Sequence, residues 1–353
     1  MTRVTPEPRD SRDPRDSRDS TCVVLGAGSW GTALAIQLAR LSRPAVLWGR
    51  DSAHTATLAR QRSNERYLPQ AEFPDTLRVE TDLATAVRSA RDLLIAVPSH
   101  ALRSLLQEVA PHLGAGARVS WATKGFELAT GLLPHEVVRQ VLGERVPTAV
   151  VSGPTFAKEV GAGLPTAMTV AASDATFASD LAQRLSGLNF RAYTSADMIG
   201  VETGGAIKNV LAIGAGISDG LGFGANTRIA LITRGLVEMT RLGVALGARK
   251  DTFMGLAGLG DLVLTCTDNQ SRNRRFGLAL AAGTTAAAAQ NTIGQVVEGV
   301  KAARAVREVA ARLSVEMPIC EQVYRVVYEG ALPKDAVKEL MSRTLKPESE
   351  ESG

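Results

Sequence analysis

The six residues GAGSWG at 26–31 limit the fold more than any other stretch, because of what flanks them. Before them TCVVL (21–25) is a short apolar run; after them TALAIQLARLS has helical spacing, and PAVLWGR (44–50) reads as a second strand. A glycine turn between a buried strand and a helix, inside a strand–helix–strand unit of about thirty residues, is the arrangement that receives a dinucleotide. The reason is spatial. Gly26 suits the tight turn, Gly28 puts no side chain in the way of a pyrophosphate, and Gly31 lets helix and strand approach. The N–H groups and dipole of the helix start then face the anion.

The alternation continues. Residues 92–99, 117–125 and 148–159 read as buried strands that end in loops of small or polar residues, and 165–172 and 190–195 extend the sheet. Strands alternating with helices imply a mainly parallel sheet with crossover helices. From about residue 197 only helical periods remain, at 199–217, 227–247, 272–283, 299–313 and 320–330. The expected fold is therefore α/β: an N-terminal Rossmann-type doubly wound sheet over 21–196, then an all-α domain over 197–343. A length of 353 residues suits two such domains. Residues 1–20, with PRDSRDPRDSRDS, and residues 344–353 have nothing to bury and are expected to be disordered tails.

Composition narrows the partners. An apolar share of 45% supports a sizeable core, whereas 4% aromatics and a net charge of +4 argue against a nucleic-acid face and allow a small anion. Cys22, Cys266 and Cys320 form no CxxC pair or disulfide framework, which indicates a reducing compartment and no metal site. The first residues lack the apolar stretch of a signal peptide, and no run approaches the twenty or so apolar residues of a membrane span; a cytoplasmic protein is expected.

Candidate chemistry sits at strand ends and helix starts. After the second strand comes Arg50, then Asp51. A carboxylate there holds the ribose hydroxyls of NAD, and an arginine accepts the 2′-phosphate of NADP. Arg50 comes first, so NADP is expected to be accepted alongside NAD; a solvated loop arginine is an equal reading. Lys124 ends a strand in WATKG, where open α/β sheets place ligands. The next strand end, SGPTFAKE, offers Gly153, Thr155 and Ala157, although a Gly-Pro turn is also ordinary structure. Asp261 lies in a glycine turn, and Ser271, Arg272 and Asn273 open a predicted helix with Arg274 and Arg275 behind them. Hydroxyl, guanidinium and amide groups at a helix start suit a phosphate; a serine cap with a solvated basic face explains the same residues.

The remaining candidate is Lys208, the one charged residue between Glu202 and Asp219 in GGAIKNVLAIGAGISDG. Gly204, Gly205, Leu211 and Ala212 share its helical face, mostly small, and leave room for something to lie against it. The alternative is a lysine whose stem covers apolar surface while its head reaches water. An alcohol oxidised by hydride transfer must lose its hydroxyl proton, and a desolvated lysine near other cations can take it near neutral pH. None of the four histidines (His54, His100, His112, His135) lies in the second domain, and they form no evident constellation.

Together GAGSWGTALA, VPSH, WATKG, SGPTFAKE, GGAIKNVLAIGAGISDGLGFGAN, ALITRGL, GLGDLVLTCT, SRNRRFG and QVVEG resemble the bacterial NAD(P)-dependent glycerol-3-phosphate dehydrogenases, over about residues 21–343. The resemblance implies interconversion of sn-glycerol 3-phosphate and dihydroxyacetone phosphate with NADP or NAD, for phospholipid synthesis. It implies Lys208 as proton acceptor, and Ser29, Trp30, Arg50, Ala157, Val296 and Glu298 at the cofactor. Lys124 would touch cofactor and substrate. Gly153, Thr155, Asp261, Ser271, Arg272 and Asn273 would bind or orient the glycerol phosphate, with Arg272 also near the cofactor. A homodimer is left open, and the RDS-rich tail has no counterpart in the family pattern. A β-hydroxyacid or 6-phosphogluconate-type dehydrogenase shares the plan and would be told apart by its substrate. A silent nucleotide sensor would bind NADPH without turnover.

Overall fold

The computed structural model describes residues 21–344; the tails expected at 1–20 and 344–353 lie, but for residue 344, outside the described residues. Ten strands come first: β1 (Cys22–Leu25), β2 (Ala45–Trp48), β3 (Ser63–Asn64), β4 (Leu68–Glu72), β5 (Leu77–Glu80), β6 (Asp92–Ile95), β7 (Arg118–Trp121), β8 (Thr148–Ser152), β9 (Thr166–Ala172) and β10 (Phe190–Ser195). Eight of them form one sheet in the order β10-β9-β8-β7-β6-β1-β2-β5. Its pairs are parallel except β8 with β9. All residues of β1, β2, β6 and β7 are buried, as expected for parallel strands covered on both faces. Side chains alternate across the sheet: Val24 and Leu47 pack with Leu34 and Phe177 on one face, Val23 and Leu25 with Leu102 and Leu106 on the other. The order reverses beside β1, which has β2 on one side and β6 on the other, and that reversal opens a crevice at the strands' carboxyl ends.

Several strands end sooner than their apolar runs. The 148–159 run stops at Ser152 and resumes as a helix, Ala157–Ala162. Gly153 has φ +151° and Pro154 has no N–H to continue a ladder. The hairpin of β3 and β4 and the edge strand β5 were not expected. The hairpin is short, irregular and polar, and β5 is half-covered, so neither shows a period that sequence can reveal.

After β10 the described chain is helical. The helix Met198–Gly220 is buried continuously from Gly200 to Ser218, which explains why its sequence lacks a polar stripe. The helices Ala225–Ala245, Arg272–Ala281, Glu298–Arg312 and Pro318–Tyr328 pack around it. Contact with Arg272–Ala281 is backbone to backbone: a Cβ on Gly216 would lie 2.1 Å from the Arg274 carbonyl oxygen, and one on Gly277 would lie 2.1 Å from that of Ile213. Among the described residues no helix is long and apolar enough to cross a membrane.

One correction concerns the histidines. His135 opens onto Glu202 of the long helix: its backbone N–H donates to Oε1 (2.9 Å) and its Nδ1 lies 2.5 Å from Oε2, while Trp121 Nε1 donates to Oε1 at 2.8 Å. Burial pushes the Glu202 carboxyl up. Burial opposes the charge on His135, but Glu202 outweighs it and raises the imidazole pKa. Spacing along the chain gives no hint of this pairing, since its partners are far apart in sequence.

The helix crossing yields a test. Gly277→Ala should destabilise the fold by about 1–3 kcal/mol, the usual range for overpacking, seen as a lower urea midpoint; an unmoved midpoint would mean the two backbones do not meet.

Candidate functional site

Lys208 lies midway along the long helix and is buried. Its Nζ donates to Asp261 Oδ1 at 2.5 Å and to Thr265 Oγ1 at 3.1 Å. The second oxygen of the same carboxylate, Oδ2, accepts from Lys124 Nζ at 2.6 Å. Asp261 is the first residue of the helix Asp261–Thr267, entered from the wide π-helical turn Leu256–Gly260, and Thr265 follows one helical turn later on the same side. Lys124 arrives from the loop after β7. One carboxylate thus serves two ammonium groups and leaves a net positive charge in a dry place. Burial is the main force pushing Lys208 down to about 8; Asp261 opposes it and Lys124 adds to it. Burial would raise the Asp261 carboxyl, but the two lysines hold it below the ordinary carboxylate value.

What lies against Lys208 on the small-residue face is the protein itself. A Cβ on Gly204 would meet the Ala257 carbonyl oxygen at 2.4 Å, and one on Gly205 would meet the Lys124 stem at 3.4 Å. The small residues admit the turn that carries Asp261 and the second lysine. The snorkelling alternative does not fit a buried ammonium with two polar partners.

The lysine head faces a cleft of about 830 Å³ that runs back to the glycine turn. At that end Gly28, Ser29 and Trp30 line the wall. Gly26, at φ +125°, turns under Ala96, whose oxygen would lie 2.5 Å from an added Cβ; on Gly31 a Cβ would lie 1.9 Å from the Gly26 oxygen. Nothing stands within 4 Å of the Cβ position of Gly28, and no side chain caps the helix Ser29–Arg40. An open glycine beside an uncapped helix start fits the pyrophosphate of a dinucleotide. Ser29 Oγ donates to the Tyr67 carbonyl at 2.6 Å and so ties the β3–β4 hairpin to the turn; Arg66 and Tyr67 join the wall. Arg50 is exposed and does not line the cleft, while Asp51 accepts from the His54 N–H at 3.0 Å as a helix cap.

At the other end Thr155, Ala157, Ser271, Arg272, Asn273, Val296 and Glu298 line the cleft together with Lys124. Ser271 caps the helix Arg272–Ala281, accepting from the Arg274 N–H at 3.2 Å. Asn273 accepts from the Gly299 N–H at 2.8 Å and donates to Asn209 at 2.8 Å, and Asn209 donates to Glu298 at 3.1 Å. Arg272 is half-buried and donates to Gln295 at 3.3 Å. Two of the sequence candidates stand behind the wall. Gly153 shapes the turn after β8, where a Cβ would lie 2.9 Å from Met168 Cα, and Asp261 is committed to the two lysines. Asn209 and Thr265 were not among the candidates. A signal existed for Asn209, a second polar residue beside Lys208 in an apolar run, and for Thr265, four residues after Asp261.

A glycine turn open to a pyrophosphate at one end of the cleft and a buried, carboxylate-held lysine further along it fit a dinucleotide-linked dehydrogenase with a helical substrate side. Comparison with known proteins makes the assignment specific: the N-terminal family profile matches residues 21–178 and the C-terminal one residues 197–338, and the chain belongs to the NAD-dependent glycerol-3-phosphate dehydrogenase family. It is 58% identical over 330 residues to the glycerol-3-phosphate dehydrogenase [NAD(P)+] of Cronobacter sakazakii, covering 93% of this chain and 97% of the relative. The crystal structure of the glycerol-3-phosphate dehydrogenase of Coxiella burnetii is similar with a TM-score of 0.89 at 49% identity, covering 92% of this chain and 99% of that one. A glycerol-3-phosphate dehydrogenase of Saccharomyces cerevisiae follows at a TM-score of 0.80 and 25% identity, covering 92% and 100%.

Removing the shared carboxylate exposes its role. In Asp261→Asn two ammonium groups face each other without a counter-charge, and breaking a buried pair this way costs about 3–5 kcal/mol. The loss should be larger at pH 6 than at pH 9, where a lysine can shed its proton; denaturation curves giving an equal, small loss at both would remove the charge argument.

Proposed function

We infer that the protein reduces dihydroxyacetone phosphate to sn-glycerol 3-phosphate with NADPH or NADH and catalyses the reverse oxidation. The observation that carries this reading is a buried, carboxylate-held lysine in the cleft that begins at the glycine turn. The bound nicotinamide supplies or receives the hydride. Gly28 and the helix start behind it hold the pyrophosphate. The Lys208 ammonium donates a proton to the carbonyl oxygen during reduction, and the neutral amine takes it from the hydroxyl during oxidation. Lys124, across Asp261, weakens the hold of Lys208 on that proton. Arg272 anchors the phosphate, with Ser271 and Asn273 at the same helix start and Lys124 and Thr155 facing them. Trp30, Ala157, Val296 and Glu298 border the cofactor, and Gly153 shapes the substrate wall.

Three further readings go with this one. The chain divides into a nucleotide-binding part over 21–196 and a helical part over 197–343, supported by the end of β10 at Ser195 and the helix start at Met198. The enzyme works in the cytoplasm and feeds glycerophospholipid synthesis; three buried free cysteines suit a reducing compartment. It forms a homodimer, for which exposed Ile229 and Met341 offer apolar surface and whose test is the mass in solution.

Two measurements test the chemistry. Lys208→Ala should keep cofactor affinity and lose roughly two to four orders of magnitude in kcat; normal turnover would dismiss the lysine. Reduction needs the protonated form, so its kcat/KM should hold below a pH of about 8 and fall above it, while oxidation rises through the same range. A flat profile in both directions would contradict that assignment. For the cofactor, Arg50→Ala should raise KM for NADPH several-fold and leave NADH unchanged, the loss of a charge-assisted phosphate contact; no change for either would place Arg50 in solvent.

A further inference from the structure

Arg274 is two residues beyond Arg272 on the same helix, so the two side chains leave it in different directions. Arg272 reaches the cleft. Arg274 is buried and turns away from it. Each nitrogen of its guanidinium makes a hydrogen bond: Nε donates to the Cys266 carbonyl at 3.1 Å, Nη1 to the Asn269 side chain, and Nη2 to Asp219 Oδ2 at 2.5 Å. Asp219, near the end of the long helix, also accepts from Arg228 at 2.8 Å. The main chain at Arg274 is fixed as well, because its carbonyl lies where Gly216 of the long helix crosses.

These contacts span the connection between two functional helices. Cys266 closes the helix that carries Asp261 and Thr265; Asn269 lies in the loop 268–271; Ser271 and Arg272 begin the next helix. We propose that Arg274, held by Asp219, is a positioning residue that fixes this loop and so sets where Arg272 meets the substrate phosphate. The proposal rests on the reading of Arg272 as the phosphate anchor. An arginine is required because the three partners lie in three directions and only a planar fork with five N–H donors reaches them at once. A lysine would keep the charge near Asp219 and lose Cys266 or Asn269.

The test is Arg274→Lys alone and in the Arg272→Ala background, with steady-state kinetics on dihydroxyacetone phosphate and far-ultraviolet circular dichroism to show that each variant is folded. Arg274→Lys should raise KM for dihydroxyacetone phosphate roughly ten-fold while kcat stays within about three-fold. In the Arg272→Ala background the same change should raise KM less than two-fold, because residues acting as one unit are not additive. A folded Arg274→Lys variant with unchanged KM overturns the proposal, as does a full ten-fold effect on top of Arg272→Ala. If Arg272→Ala itself leaves KM unchanged, the anchor reading fails and the proposal fails with it; a raised KM there with none in Arg274→Lys sinks the proposal alone. Asp219→Asn, which keeps the shape and removes the charge, should reproduce the KM effect in the same direction, and an unchanged KM in that variant counts against the grip.

Discussion

Everything in the cleft depends on one carboxylate shared by two lysines. Asp261 draws Lys208 from the long helix and Lys124 from a strand loop onto its two oxygens. A buried charge pair needs good geometry and further hydrogen bonds to offset desolvation, and Thr265 supplies one of those bonds. Because there is one acid for two bases, the site keeps an excess positive charge. Burial first, and the charge of Lys124 after it, loosen the Lys208 proton, and the excess charge makes the cleft welcoming to an anion. The same contact therefore ties the sheet side to the helical side and limits how far burial lowers the proton affinity of Lys208.

Close backbone approach makes the contact reachable. The turn carrying Asp261 comes against Gly204, and the helix carrying Arg272 comes against Gly216 through its own Gly277. Larger residues would hold both elements away by more than a hydrogen bond can bridge. The run of glycine and alanine around Lys208 is thus a packing surface for two neighbouring elements, and the contact between Lys208 and Asp261 follows from it.

Much of this was legible in the chain. The GAGSWG turn gave the crevice, because a strand, a glycine turn and a helix have few ways to join. The apolar runs gave seven strands of the main sheet, and the helical periods gave the second half. What escaped was whatever depends on distant partners. Sequence places Asp261 in a glycine turn but does not show that both its oxygens are taken by lysines 53 and 137 positions away. It shows His135 without Glu202, and it shows room beside Lys208 without saying that the turn before Asp261 and the stem of Lys124 fill it. The β3–β4 hairpin lacks an apolar period, so nothing in its composition betrays that Tyr67 holds Ser29. Arg50 remains where the sequence left it, exposed after β2.

The antiparallel pair β8–β9 has a consequence for reach. Because β9 and β10 run parallel to each other and against the other six strands, the chain leaves the sheet at the rim opposite the crevice, with Ser195 paired to Ala171 and Ala172 opposite Ala149 near the start of β8. The long helix then has to climb. By Gly205 it is beside Ser152, the last residue of β8. Lys208 is ten residues past Met198, about 15 Å at 1.5 Å per residue, close to the span of a five-residue strand at about 3.3 Å each. The height of the sheet along its strands acts as a ruler for the helix: reversing β9 and β10 delivers the amine level with the rim, where a uniformly parallel sheet would have launched the helix from the rim and carried the amine well past it.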